Sequence, residues 1–155
     1  MSVSGCTLRR KSSLRSTPLQ RLFTVRIGAL ATWTDLQRAD LGPALRALRE
    51  AGREVGSPQI QNAATVVGNV CNASPAADGT VALLALGAEV EVVGPSGARR
   101  VPLGDFVTGV RQVARGPAEI VVALHLPPHT GRSAFVKLGA GRRRGGGGSG
   151  PWRAR

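Results

Sequence analysis

Apolar and polar positions change period several times along this chain, and the changes predict an α+β fold with a mostly antiparallel sheet and short helices. The run Leu22–Leu30 (LFTVRIGAL) is predominantly apolar and predicts a strand. Thr34 then suits a helix N-cap, with Asp35 at the positive start of a short helix reaching about Ala39. Pro43 fits the first turn of a second helix. Leu45 and Leu48 share its apolar side, leaving Arg46, Arg49, Glu50 and Arg53 toward water. Further on, Asp78 is expected to cap a helix from about Thr80 to Leu86, lined by Val81, Leu84 and Ala85 and ended by Gly87. Glu89–Val93 alternates as a half-buried strand does, and Pro95-Ser96-Gly97 turns it into a second strand from Arg99 to Val101. Val121–Leu126 predicts another strand, stopped by Pro127-Pro128, and Ser133–Lys137 one more. His125 alternates with apolar neighbours and is expected on the exposed face of its strand; His129 falls in a loop and is assigned no chemistry.

The pattern fades at both ends. Residues 1–26 are a basic extension expected to be disordered, residues 27–140 form the folded lobe, and residues 141–155 are an Arg/Gly-rich tail, also expected to be disordered. Charge follows the same division. The net charge is +12, which by itself suggests a nucleic-acid or acidic-membrane partner. Yet residues 27–131 hold eight Arg and all nine acids, so 8 − 9 = −1, and the other 21 − 8 = 13 basic residues lie toward the ends. The basicity belongs to the tails and not to a folded face. With no Tyr and 3% aromatic residues, the core must be built from Leu, Val and Ala. Cys6 and Cys71 lie far apart without metal-ligand spacing to either His, which fits a reduced, cytoplasmic protein. No apolar run approaches the ~20 residues that a membrane-spanning helix needs.

The stretch Ser57–Asp78 stands apart from the rest. It contains no Lys, Arg or Glu, and sets Asn62, Thr65, Gly68, Asn69, Asn72 and Ser74 among small residues. Small side chains let a backbone approach a ligand, and Asn, Thr and Ser supply neutral donors and acceptors. Such a composition serves either a bound phosphate or polar cofactor, or a polar loop joining two elements.

The run S-P-Q-I-x-N-x-x-T-x-x-G-N-x-x-N-A-S-P-A-A-D resembles the flavin-binding subunit of the molybdenum hydroxylases, the family of xanthine dehydrogenase and aerobic carbon monoxide dehydrogenase. Ile27-Gly28-Ala29 with Thr32, Asp35 and Leu36 resembles the family's I-G-A-x-x-T-x-x-D-L. Pro102-Leu103-x-Asp105-Phe106 resembles its V-P-L-x-D-F, a short helical turn with the Phe in the core. The resemblance runs from about Ile27 to Ala140 and implies the second lobe of a two-lobed FAD-binding domain. Residues 1–26 show no Gly-Gly-Thr-type loop of the kind with which the family's first lobe grips the pyrophosphate, and the chain is expected to be truncated at both ends.

Carried over position by position, the resemblance implies that Thr65, Val66, Gly68 and Asn69 meet the phosphate and ribityl parts of FAD. Asn72 and Asp78 follow as polar positions just beyond. Val121 would pack beside the flavin ring, and Lys137 would be a basic group near it. No residue is assigned as catalytic or as a metal ligand. This sequence departs from the family at Gln61 (usually Arg), Ala64 (usually Gly) and Val67, which replaces the first Gly of a pair and is expected to be strained if that position needs positive φ. The implied function is oxidoreductase: FAD passes electrons from iron–sulfur clusters to an acceptor. Molybdopterin-binding and iron–sulfur subunits are the expected partners in a hetero-oligomer, with no membrane and no nucleic acid. Two other classes stay open on the residues alone, an assembly fragment that holds no flavin and a nucleic-acid binder acting through its basic tails. GRRRGGGG resembles RNA-binding Arg/Gly segments, but a shifted reading frame in GC-rich coding sequence gives the same bias and is the preferred reading.

Overall fold

A computed structural model describes residues 24–137 and the strand Cys6–Leu8. In chain order the elements are β1 (Cys6–Leu8), β2 (Val25–Gly28), α1 (Trp33–Arg38), a 3₁₀ turn (Pro43–Leu45), α2 (Arg46–Arg53), α3 (Pro58–Ala63), α4 (Val66–Cys71) and α5 (Asp78–Ala85). There follow β3 (Glu89–Gly94), β4 (Gly97–Pro102), α6 (Leu103–Phe106), β5 (Val107–Gly109), β6 (Gln112–Val113) and β7 (Ile120–Leu126). Five strands make one sheet in the order β1-β2-β7-β3-β4, every neighbouring pair antiparallel, and β5-β6 form a separate hairpin. The fold is the α+β arrangement that the hydrophobic pattern predicts. Most of the 1–26 and 141–155 extensions lies outside the described residues; within the first, Cys6–Leu8 pairs with β2 as a strand and was expected to have no regular structure.

The core lies between the sheet and the helices. Val25, Ile27, Val90, Val92, Leu124 and Leu126 are buried from the strands, and Trp33, Leu36, Leu48, Val66, Val70, Leu83, Leu103 and Phe106 from the helical side. Trp33 is the largest of them and determines how α5 and α2 approach. A Cβ built on Gly79 would lie 2.2 Å from its Cη2, and one on Gly52 would lie 2.9 Å from its Cε3. Two helix backbones therefore close on one indole because neither carries a side chain there.

Several local expectations give way to tertiary context. The cap of α1 is Thr32, not Thr34. Asp35 N donates to Thr32 Oγ1 at 3.1 Å and Thr32 N donates to Asp35 Oδ2 at 3.0 Å, a reciprocal capping box. The bond from Thr32 N, and then the Thr32 hydroxyl donating to Asp35 Oδ2 at 2.8 Å, hold the Asp35 carboxyl below its ordinary value. Asp78 does not cap α5 but is its first residue, after Ala77, and the helix is rotated from the expected face. Gly79, Thr80, Ala82 and Leu83 are buried, whereas Val81 and Leu84 are 57% and 45% exposed. An almost wholly apolar helix has no strong amphipathic direction, so packing around Trp33 chooses the face. Gly87, at φ +57°, follows the end of α5 as expected.

Ser57–Ala77 is not one loop: it contains α3 and α4. Val67 lies inside α4, is 4% exposed and is not among the positive-φ residues, so the strain expected of it is absent and its side chain packs in the core. Arg49 is only partly exposed, with its Nε shielded from solvent, and does not simply face water. His125 is buried, at 6% exposure, because Glu91 from β3 takes its Nε2 at 2.6 Å while Arg26 Nε from β2 donates to the same Glu91 oxygen at 3.2 Å. Ser133–Lys137 forms no strand. It runs as a strap across the helices: Ser133 N donates to Pro43 O, Ala47 N donates to Ser133 Oγ and Phe135 N donates to Glu50 Oε2. The Ser133 hydroxyl thus caps α2, whose own N-cap residue, Leu45, offers no side-chain acceptor.

Candidate functional site

The site is built around α4. Thr65 is its N-cap, and Thr65 Oγ1 accepts from Gly68 N at 2.9 Å. Ahead of the helix the chain pairs briefly with the entry to α1. Thr32 and Thr65 form an antiparallel bridge, flanked by Trp33 N donating to Ala64 O at 3.2 Å and Val66 N donating to Ala31 O at 2.9 Å. Two threonine-capped helix starts therefore lie beside one another. Thr34, next to this bridge, donates through Oγ1 to Asn62 Oδ1 at 2.6 Å and ties α1 to α3.

Gly68 lies on the open side of α4, where its backbone is exposed. A Cβ there would come within 2.7 Å of Thr65 Oγ1, so any larger residue must displace the hydroxyl that caps the helix. Asn69 follows, and its Oδ1 is shielded from solvent with no hydrogen-bond partner among the described residues. A buried amide oxygen left unpaired is costly in a folded protein. Val66 differs from these two: its side chain is fully buried and its N–H is spent on Ala31. Asn72 is the C-cap of α4 and is exposed.

The remaining sequence-selected residues fall around this helix. Asp78 opens α5, which packs against α4. Lys137 Nζ, at the end of the strap, donates to Asp78 Oδ2 at 2.6 Å, and this bond raises the lysine pKa. Val121 lies near the start of β7, the strand on which α4 also packs, and is half-buried against the core. Its direction is set by an irregularity in the β3–β7 register. Glu91 pairs with Ala123 but Val92 pairs with Val121, leaving Val122 as an extra residue. The Val122 carbonyl accepts instead from Ala29 N at 2.9 Å. The loop before β7 is fixed by Glu119, whose carboxylate takes Arg99 Nε at 2.9 Å, Arg99 Nη2 at 2.8 Å and Gly116 N at 2.7 Å. Arg99 first, then Gly116, brings the Glu119 carboxyl down to about 2.

Two features escape a reading of residue types. Thr32 belongs to the bridge, and a T-x-x-D spacing from Thr32 to Asp35 signals its cap in the sequence. The β5–β6 hairpin reaches the far end of α4, where Arg111 N donates to Ala73 O at 2.9 Å; nothing in its residue types announces that contact. Cys71, on α4, is a free thiol whose pKa is pushed up by burial. No helix among the described residues is long and apolar enough to cross a membrane.

Residues 15–129 match the family described as FAD binding domain in molybdopterin dehydrogenase. The chain is 36% identical over 129 residues to the xanthine dehydrogenase FAD-binding subunit of Escherichia coli O157:H7, covering 80% of this chain and 44% of that one. It is 37% identical over 115 residues to the carbon monoxide dehydrogenase medium chain of Afipia carboxidovorans, covering 72% of this chain and 40% of that one. Its structure superposes on CO dehydrogenase from Oligotropha carboxidovorans with a TM-score of 0.69 and 29% identity, over 83% of this chain and 42% of that one. The chain thus spans less than half the length of these relatives. The order of elements, the Thr65–Asp78 motif around α4 and these matches agree: the chain belongs to the FAD-binding domain family of the molybdopterin dehydrogenases.

Proposed function

We propose that this chain supplies one lobe of an FAD site, held within residues 27–140, in a molybdopterin-dependent dehydrogenase. The observation that carries the reading is the pairing of Gly68 with Asn69: an exposed backbone where a Cβ would displace the Thr65 hydroxyl, next to a shielded carboxamide oxygen without a partner among the described residues. A polar cofactor lying along α4 would give that oxygen its missing donor. Thr65 keeps its hydroxyl hydrogen free for a ligand while its oxygen caps the helix. Asn72 and Asp78 extend the polar row, and Lys137 brings a positive charge to its end. Val121 offers an apolar edge for the flavin ring. Val66 serves from the core, by fixing the start of α4 through Ala31.

FAD, when bound, supplies the redox chemistry, and the protein supplies binding and electrostatics. Molybdopterin-binding and iron–sulfur subunits are the partners in this reading, and the cytoplasm is its location. The basic tails are given no part in it.

The test is a titration of the isotope-labelled full chain with FAD, followed by amide NMR shifts. Saturable shifts are expected at Gly68, Asn69 and Asp78. No shift at these three amides at millimolar FAD would sink the reading.

A further inference from the structure

Among the described residues, two that are not glycine adopt the left-handed backbone: Ala73 at φ 43° and Arg111 at φ 57°. Residues with a Cβ rarely do so, and such conformations persist only where the surroundings impose them. Here the two outliers are bonded to each other, Arg111 N donating to Ala73 O at 2.9 Å. Arg111 sits in the tight turn between β5 and β6, and Ala73 is the residue after the C-cap of α4.

The location of Ala73 gives the bond its consequence. α4 carries Thr65, Gly68 and Asn69, and α5 begins with Asp78. The chain reverses between them at Ala73, whose N–H bonds Val70 O at 3.0 Å, and Ser74 then receives Ala77 N at 3.1 Å. The left-handed turn therefore sets where Asp78 stands relative to the α4 groups. An alanine does not choose that conformation by itself, and Gly, which would, is not used. The hairpin is held from its other side. Ala114 N donates to Phe106 O, and Phe106 is fully buried, so β5–β6 is anchored to the core through α6.

We propose that the β5–β6 hairpin is a brace for the candidate cofactor site, with Ala73 and Arg111 as its positioning pair. The brace works through the Arg111 backbone N–H, which holds Ala73 left-handed and so keeps α4 and the start of α5 in the arrangement that FAD requires. The inference rests on the flavin reading above and assigns the site a residue from outside the Ser57–Asp78 motif.

The experiment titrates FAD into the full chain and three variants, with thermal melting recorded for each. Arg111→Pro removes the N–H and cannot adopt positive φ; it is expected to weaken FAD binding by about tenfold or more. Arg111→Gly, which keeps both the N–H and the left-handed backbone, retains binding. The decisive variant is Ala73→Gly combined with Arg111→Pro. Glycine adopts the left-handed turn unaided, so Ala73→Gly should restore most of the affinity that Arg111→Pro loses. Failure of Ala73→Gly to rescue, or unaltered binding by Arg111→Pro, overturns the brace. Loss of binding by Arg111→Gly overturns it too, by making the guanidinium the active group. If Arg111→Pro does not fold, hydrogen exchange in the unmodified chain decides: a protected Arg111 amide is expected, and an amide exchanging as fast as an exposed loop ends the proposal. An unmodified chain that shows no FAD-dependent change overturns the flavin reading itself, and this role with it.

Discussion

Lys137 and Asp78, far apart in sequence, meet at 2.6 Å between the end of the strap and the first residue of α5. Both were selected from the sequence as cofactor positions, and the fold brings them into one ion pair. The lysine is nearly half exposed, so the pair adds little to stability in water. In the proposed flavin site, its value would lie in the charge it places at the start of α5. Lys137→Met is therefore expected to leave the melting temperature within ~2 °C of the unmodified protein. The same change should weaken FAD binding by a few-fold. A large loss of stability without loss of binding would make the pair a structural clamp only.

Gly79→Ala tests the indole wedge. The new Cβ would lie 2.2 Å from Trp33 Cη2, far inside contact distance, and Trp33 is fully buried. Overpacking of this kind costs about 1–3 kcal/mol, more than the ~1 kcal/mol that alanine gains over glycine in a helix. Denaturant unfolding should show Gly79→Ala less stable than Gly52→Ala, where the approach is 2.9 Å. The reverse order would mean that Trp33 does not set the spacing of α5.

Gly68→Ala separates binding from folding. It gains helix propensity of about 1 kcal/mol but displaces the Thr65 hydroxyl, and losing such a cap costs about 1 kcal/mol. The two nearly cancel, so stability should change by less than ~1 kcal/mol. FAD-induced shifts at Asn69 should nevertheless disappear. An unchanged titration would place the cofactor elsewhere.

Val67→Gly should destabilise the protein and not relieve it. Val67 is almost fully buried in α4, and removing its side chain combines a cavity with a helix-interior glycine. A loss of about 2–4 kcal/mol is expected in denaturant unfolding. Increased stability would restore the idea that this position is strained.

Acid should loosen the sheet in a defined window. Glu119 has its pKa lowered from 4.5 to about 2 by Arg99 and Gly116, and Glu91 is lowered chiefly by its bond to His125. A carboxyl with a depressed folded pKa contributes stability that is present above its unfolded value. That contribution is lost as pH falls through the folded value. The melting temperature should therefore decline between pH 4.5 and about 2, and Glu119→Gln should flatten part of that decline. A slope identical in the variant would show that Glu119 is not among the groups responsible.

What could be read from the sequence depended on how local its causes were. The β3–β4 hairpin was legible because Pro95-Ser96-Gly97 and the alternation beside it act within a few residues. The motif around Thr65, Gly68 and Asn69 was legible as a polar row of small residues, though not as a helix: its cap, Thr65, is local, but its bridge to Thr32 comes from a distant segment. His125 was misread because one strand does not show Glu91 and Arg26 on its neighbours. The α5 face was misread because Trp33 decides it from outside. Ser133–Lys137 has the composition of a strand but finds helix ends to bond instead of a sheet edge.

The extra residue at Val122 gives β7 two phases. Toward Leu126 the even-numbered residues Leu124 and Leu126 point inward; past the bulge the odd-numbered Val121 faces the core and Ile120 is 62% exposed. Counting by twos from the well-packed end would therefore invert every inside–outside assignment at the other. Deleting Val122 would remove the bulge without moving either end: Val121 would stay opposite Val92 and Ile120 opposite Val93, while Ala29 N would lose the Val122 carbonyl. Two chains of this family can thus share every residue type in this strand and still turn opposite sides of its first residues to the core, if only one of them carries the bulge.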